Sequence, residues 1–258
     1  MNKTALITGA SAGMGARFAH LLAKEGYDLV LVARNEVRLT ITAAELEKVF
    51  GIHCEILSAD LSTDEGLLAV SNRAGNPDRP IEVLINNAGF GIGESFFKSQ
   101  IQVEQQLLDV LVKAPMHLMH SVLPGMKTRN SGFIINVSSV AGWITGGSYS
   151  AAKSYLTVLS ESMHTELRGT NVKVLALCPG FTHTEFHQRG KMRMDSLPNF
   201  MWLDADHVVA KGWSDAVAGK AISVPGWQYT ILTWFARFAP RPLVRKIGMN
   251  VRVKQRHK

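Results

Sequence analysis

Cysteine is scarce in this chain. Of 258 residues only Cys54 and Cys178 are cysteines, each inside its own apolar run. Two such residues make neither a disulfide framework nor a metal motif, and a reducing, cytoplasmic location is expected. No apolar run reaches the roughly 18 residues of a membrane span. The first strand-like run starts at Lys3, so no leader peptide is expected. Linkers, low-complexity stretches and internal repeats are missing too, and the length suits one large α/β domain. His183 and His187 have the i, i+4 spacing of some metal sites, but no second set of ligands accompanies them, and no metal is expected. Acids are absent from two informative places. None closes the second strand-like run, and none occurs from Pro225 onward, where three lysines and five arginines give +8 against a net charge of +7 for the whole chain.

Apolar strand-like runs alternate with helix-like ones. Strands are predicted near 3–8, 28–33, 52–58, 81–86, 132–138, 172–178 and 221–224. Helices are predicted near 14–25, 35–50, 63–74, 100–126, 149–168 and 204–218. Repeated βα units imply a doubly wound parallel sheet, Rossmann-like, in a three-layer αβα single domain. Residues 1–225 would form the dinucleotide-binding catalytic part, with a substrate lid near 185–203. Residues 226–258 would form a basic, aromatic C-terminal extension. Ligands of such sheets lie at the carboxyl ends of the strands. Gly9, Arg34, Asp60, Asn87, Ser139 and Pro179 all fall there.

The segment Thr8-Gly9-Ala10-Ser11-Ala12-Gly13-Met14-Gly15 follows the first strand and opens a helix. Its glycines let the backbone approach a pyrophosphate, which the free N–H groups and dipole of the first helical turn attract. The second strand ends Ala33-Arg34-Asn35, without the acid that would hold the ribose 2′-hydroxyl of NAD. Arg34 suits a 2′-phosphate through charge-assisted bonds, so NADPH (NADP+) is the expected cofactor. Tyr149 and Lys153 stand four apart in Tyr149-Ser150-Ala151-Ala152-Lys153. On a helix they share a face. A neighbouring ammonium should lower the phenol pKa toward neutrality and make Tyr149 a general acid or base.

Together with Asp60-Leu61, Asn86-Asn87-Ala88-Gly89, Asn136-Val137-Ser138-Ser139 and Cys178-Pro179-Gly180, these motifs resemble the short-chain dehydrogenase/reductase family in its compact single-domain form. The likeness spans roughly 3–225 and is greatest to bacterial reductases of unassigned substrate. The resemblance implies that Ser139 holds a substrate carbonyl oxygen and Tyr149 protonates it. Lys153 would bind the nicotinamide ribose and tune Tyr149. Asp60 would touch the adenine end. Asn87, Ala88 and Gly89 would line the adenosine ribose. Pro179, Gly180, Thr182 and Thr184 would frame the nicotinamide. The family also implies a homodimer or homotetramer through the helices 100–126 and 149–168.

Two departures from the family pattern stand out. Leu111 replaces the usual asparagine of the helix after the fourth strand. In the family that asparagine marks a kink whose backbone carbonyl holds a proton-relay water. Pro115, four residues on, has no N–H for the carbonyl of Leu111, so either that carbonyl still holds the water or the proline only bends the helix. Ser139 and Tyr149 are also closer in sequence than is usual, which tightens the loop Val140–Ser148 and leaves Ser138 as a competing hydroxyl.

Substrate contacts are expected from Phe90–Phe97, Val140–Ser148 and Phe181–Leu203. Methionines and aromatics in the last segment suggest an apolar pocket under a lid, or simply core packing. The expected activity is NADPH-dependent reduction of a bulky apolar ketone or aldehyde, or the reverse alcohol oxidation. The alternative is a dinucleotide-binding regulatory or scaffolding protein, for which Leu111 speaks. In the tail, an aromatic turn followed by arginines has the pattern of an interfacial helix, in peripheral contact with membrane. Its rival is a helix packed on the domain or a sister subunit. No nucleic-acid fold accompanies the charge.

Overall fold

The structure is a computed structural model and describes residues 3–186 and 198–246. Seven strands form one sheet: β1 (Thr4–Thr8), β2 (Asp28–Ala33), β3 (Cys54–Ser58), β4 (Ile81–Asn86), β5 (Gly132–Val137), β6 (Val172–Leu177) and β7 (Ile222–Ser223). Every pairing is parallel, in the order β3-β2-β1-β4-β5-β6-β7. This is the doubly wound α/β fold read from the sequence. Helices α1 (Gly13–Lys24), α2 (Glu36–Phe50), α3 (Asp64–Ala74), α4 (Ile101–Leu108), α5 (Ala114–Arg129), α6 (Ser148–Glu166), α7 (Ala205–Val217) and α8 (Trp227–Phe238) are described around it.

The strands read as continuous apolar runs because both faces of the sheet are covered. Alternate residues feed two cores. Ile7, Leu31, Ile85, Ile135 and Leu175 pack with Phe18 and Leu22 of α1 and Val208 and Val209 of α7. Leu6, Val30, Leu84, Ile134 and Val174 pack with Val70 of α3, Leu118 and Val122 of α5 and Leu156 of α6. Local signals set the helix starts. Asn35 Oδ1 accepts from Arg38 N at 2.9 Å, Thr63 Oγ1 from Gly66 N at 3.1 Å and Asp204 Oδ1 from His207 N at 2.9 Å.

The expected single helix 100–126 is broken. Between α4 and α5, Asp109–Lys113 forms a π turn in which Ala114 N donates to Asp109 O. Pro115 explains the defect. It has no N–H to close on Leu111 at α spacing or on Val110 at π spacing. The helix runs on to Arg129, where Asn130 adopts the left-handed conformation. β7 is shorter than the expected 221–224 because only Ile222 and Ser223 pair with β6.

Strand order reverses between β1 and β4. The carboxyl ends of β1, β4, β5 and β6 therefore lie side by side, and the segments that follow them build one site.

Candidate active site

The glycine loop is shaped by close packing. A Cβ on Gly15 would come within 2.2 Å of Gly9 O and 2.5 Å of Asn87 Nδ2. Gly9 (φ +67°) and Gly13 (φ +55°) occupy the left-handed region that glycine tolerates. Asn87 locks this turn: its Nδ2 donates to Thr8 O at 2.9 Å and Gly9 O at 3.3 Å. Thr8, which opens the glycine segment in the sequence but was given no role there, is the second clamp. Its buried Oγ1 accepts from Asn87 N and Ala88 N at 2.9 and 3.0 Å. Strand position alone did not mark it, because its partners lie about 80 residues away. Ala12 begins α1 with no side-chain cap, and its first turn carries no acid. The opening N–H groups stay available to an anion. A glycine cradle that any Cβ would fill, beside an uncapped helix start, fits a dinucleotide pyrophosphate.

At the end of β2, Arg34 is mostly exposed and its guanidinium lies 3.8 Å from Asp60 Oδ2. Asp60 Oδ1 accepts from Ser62 N and Ser62 Oγ at 2.9 and 2.7 Å. These bonds, with the Arg34 charge, outweigh burial and leave its pKa below the usual value. Arg38, which the sequence reading passed over, reaches Glu185 at 3.1 Å from the first turn of α2.

The two serines after β5 separate cleanly. Ser138 is buried, donates to Lys153 O at 2.8 Å and pairs with Thr157 Oγ1 at 2.7 Å. It ties α6 to β5. Ser139 instead starts the short 3₁₀ turn Val140–Trp143, accepts from Ala141 N at 3.1 Å and is near enough to Tyr149 to lower its phenol pKa. Of the two hydroxyls, Ser139 is the one beside Tyr149.

Tyr149 and Lys153 share a face of α6 as expected, with Nζ 5.7 Å from the ring centroid. The expected lowering of the phenol pKa is not found. Burial pushes Tyr149 up to about 12, and the Ser139 bond lowers it only in part. Lys153 Nζ donates to Val137 O at 2.6 Å, and burial pulls its pKa down to about 8. Desolvation outweighs mutual attraction here. Cys178, also buried and free, is the other titratable group beside this ammonium.

After β6, Pro179 O accepts from Val140 N at 3.1 Å. A Cβ on Gly180 would strike the Tyr229 ring at 2.0 Å. Tyr229, from α8, is fully buried. Its hydroxyl accepts from Phe181 N at 3.0 Å and donates to Met201 O at 2.5 Å. Thr182 is buried and donates to Gly180 O at 3.1 Å. Thr184 lies 3.4 Å from where a Gly13 Cβ would be, so this loop closes on the glycine loop. Through Tyr229, α8 thus holds the loop after β6. Of the expected lid, Phe186 packs against the Tyr149 ring, with centroids 5.8 Å apart, and His183 stacks on Trp202 at 4.6 Å. Residues 187–197, His187 among them, lie outside the described residues.

Leu111, on the π turn, packs on Gly89 and clusters with Leu107, Ala152 and Tyr149. Among the described residues no helix is long and apolar enough to cross a membrane.

Known proteins share this arrangement. The short chain dehydrogenase family profile matches residues 3–194. The ketoacyl reductase HetN of Nostoc sp. is 36% identical over 228 residues, 86% of this chain and 77% of that protein. A short-chain dehydrogenase from Sphingobium yanoikuyae, solved with NADPH, superposes with a TM-score of 0.83 at 31% identity, covering 91% of this chain and 94% of the other. A bulky-bulky ketone specific alcohol dehydrogenase from Comamonas testosteroni superposes with a TM-score of 0.79 at 28% identity, covering 91% and 92%. With its profile, its strand order and its glycine cradle in agreement, the chain belongs to the short-chain dehydrogenase/reductase family of oxidoreductases, which bind a nicotinamide dinucleotide.

Proposed function

We propose that the protein is an NADPH-dependent carbonyl reductase acting on a bulky, apolar ketone or aldehyde, or on the matching alcohol in reverse. The observation that carries this reading is the meeting of Ser139, Tyr149 and Lys153 beside the glycine cradle. When bound, the reduced nicotinamide supplies hydride to the carbonyl carbon. Ser139 holds the carbonyl oxygen, where negative charge develops. Tyr149 gives that oxygen its proton. A phenol with a pKa of about 12 is fully protonated at neutral pH and so is loaded as a donor. Lys153, fixed by Val137 O, restores the proton. With a pKa of about 8 it exchanges protons near neutrality. Leu111 alone favours the rival reading of a dinucleotide-binding regulator, and a pure binder has no chemical use for these three side chains together.

Arg34 would take the 2′-phosphate. Its present ion pair is long and exposed, so it is easily exchanged for a phosphate. The NADPH in the Sphingobium structure supports this cofactor. Phe181, Phe186 and Trp202 make the nicotinamide side aromatic, and the Comamonas enzyme's ketone preference supports the substrate class. The test follows NADPH consumption across ketones and aldehydes of increasing bulk, with Tyr149→Phe as control. Tyr149→Phe should abolish turnover and keep NADPH binding. Native-rate turnover in that variant would refute the assignment.

Exposed Ile101, Leu108, Met116, Tyr155 and Val158 on α4, α5 and α6 support a homodimer or homotetramer through these helices. A second surface favours peripheral membrane contact. Tyr229, Thr233 and Ala236 bury one face of α8, while Trp227, Ile231, Trp234 and Phe238 recur at helical spacing, each well over half exposed. Arg237 lies beside Phe238 within the helix and Arg241 follows it, with no acid nearby in sequence. Deleting the tail would remove Tyr229 as well, so the clean variant is Trp227→Ser with Trp234→Ser. It should lose the sedimentation with anionic vesicles that the native protein shows at low salt. A native protein that stays in the supernatant would leave this face to a partner subunit.

A further inference from the structure

Among the described residues, every exposed phenylalanine and tryptophan lies on one of three segments, and each segment also reaches the site. After β4, Phe90 and Ile92 pack with Tyr149, while Phe96 and Phe97 face solvent a few residues on. After β6, Phe181 and Trp202 pack on each other, and Phe200 is exposed. The remaining exposed rings are on α8. Single exposed apolar side chains are ordinary, but rings gathered on the rim of one site mark an interaction surface.

The buried face of α8 makes the helix part of that rim. Gln228 Nε2 donates to Phe200 O at 3.0 Å, and the Tyr229 hydroxyl bridges Phe181 N and Met201 O. Leu203 N donates to Phe181 O at 2.8 Å and His183 N to Leu203 O at 3.0 Å, so α8 holds two joined pieces of backbone. The helix also packs on the turn Val140–Trp143, which starts at Ser139. One face of α8 thus frames the site, and Trp227, Ile231, Trp234 and Phe238 stand exposed on the other. Charge selects what covers them. No acid occurs from Pro225 onward. Arg237 has one pair, with Glu161, which is long at 4.0 Å and exposed, so it does not hold the guanidinium back. Aromatic rings edged by arginine match an anionic bilayer, where rings settle at headgroup level.

We propose that the mouth of the active site faces the bilayer, and that the substrate is a ketone or aldehyde on a long alkyl chain drawn from the lipid. The inference rests on the reductase and membrane readings above and adds to them an orientation and a substrate class. The chemical step is the same: hydride adds to the carbonyl carbon, Tyr149 protonates the oxygen, and the chain is unchanged. Tail contact alone would leave the segment after β4 in water. A mouth turned to the lipid brings Phe96 and Phe97 against it as well.

Phe97→Cys and Val49→Cys separate these cases. Each supplies one reactive thiol, because Cys54 and Cys178 are buried. Val49 is exposed near the end of α2, which runs away from the carboxyl ends of the strands. With a polarity-sensitive dye on the thiol, vesicles of phosphatidylglycerol and phosphatidylcholine should shift emission to the blue at position 97 and leave position 49 unchanged. Reduction of a long-chain ketone carried in those vesicles should follow its mole fraction in the bilayer rather than its bulk concentration. Trp227→Ser with Trp234→Ser should lower that rate about tenfold and keep reduction of a short, water-soluble ketone within about twofold of native. An unshifted dye at position 97 on vesicle-bound protein, or a long-chain rate blind to bilayer mole fraction, would overturn the inference and leave tail contact standing. Native protein that stays in the supernatant would overturn the inference and the membrane reading together, leaving the face to a partner subunit. Full activity in Tyr149→Phe would reject the reductase reading and the substrate class with it, while the dye still reports the orientation.

Discussion

Lys153→Met should change how stability depends on pH, by an amount that the burial of this ammonium sets. Lys153 is 4% exposed, and its pKa is lowered from 10.5 to about 8. The unfolded chain binds the proton below 10.5, the native protein only below about 8. Between those values the unfolded state holds more protons, so stability rises with pH through that window. Below it the cost of burying the charge is fully present. At roughly 1.4 kcal/mol per pKa unit that cost is about 3 kcal/mol at pH 7, and about 1–2 kcal/mol remain at pH 9.5. Methionine keeps the unbranched shape and removes the titration. It also forfeits the bond to Val137 O, worth about 1.5–3 kcal/mol, so the net effect at one pH decides nothing. The difference between two pH values does. Urea unfolding of both proteins without nucleotide should show the native protein gaining about 2 kcal/mol on the variant from pH 7 to pH 9.5. Cys54 also titrates abnormally, but equally in both proteins, and cancels; Cys178 loses the neighbouring ammonium in the variant, so both proteins are compared in a Cys178→Ala background. Stability curves that run parallel would show that Lys153 is not desolvated as the structure has it.

Tyr229→Phe removes the hydroxyl that bridges Phe181 N and Met201 O, so unfolding free energy should fall by about 1–3 kcal/mol and KM for NADPH should rise; unchanged values would free α8 from any role in the site. Leu111→Asn restores the family's residue, yet it sets an amide among Leu107, Ala152 and Gly89. Chemical denaturation should show a loss of about 2–4 kcal/mol rather than the neutral outcome that family likeness alone suggests. Pro115→Ala returns an N–H able to close on Leu111 or Val110. Turnover should fall with little change in NADPH affinity, and native turnover would show that the open carbonyls do not matter.

Much of the fold was legible because parallel strands buried on both faces leave unbroken apolar runs, and Ile81–Asn86 is buried throughout. The glycine loop was legible because Gly9, Gly13 and Gly15 each answer a local backbone demand. What stayed hidden depends on contacts across the chain. Tyr229 is 48 residues from Phe181, and nothing in an aromatic, basic tail distinguishes the one ring that lies on Gly180 from the four left exposed on the same helix. The direction of the Tyr149 shift was hidden for a different reason. Helical spacing brings Lys153 onto the right face, but it is silent on burial, and burial determines which protonation state survives. The pair of serines lies between these cases. Ser138 prolongs the alternation of β5 and turns inward to Lys153 O, whereas Ser139 leaves the strand and reaches Tyr149. Alternation along β4 places Asn86 opposite the Ile85 face, on the side of Leu84 and α5, where it lines a cavity together with Pro115.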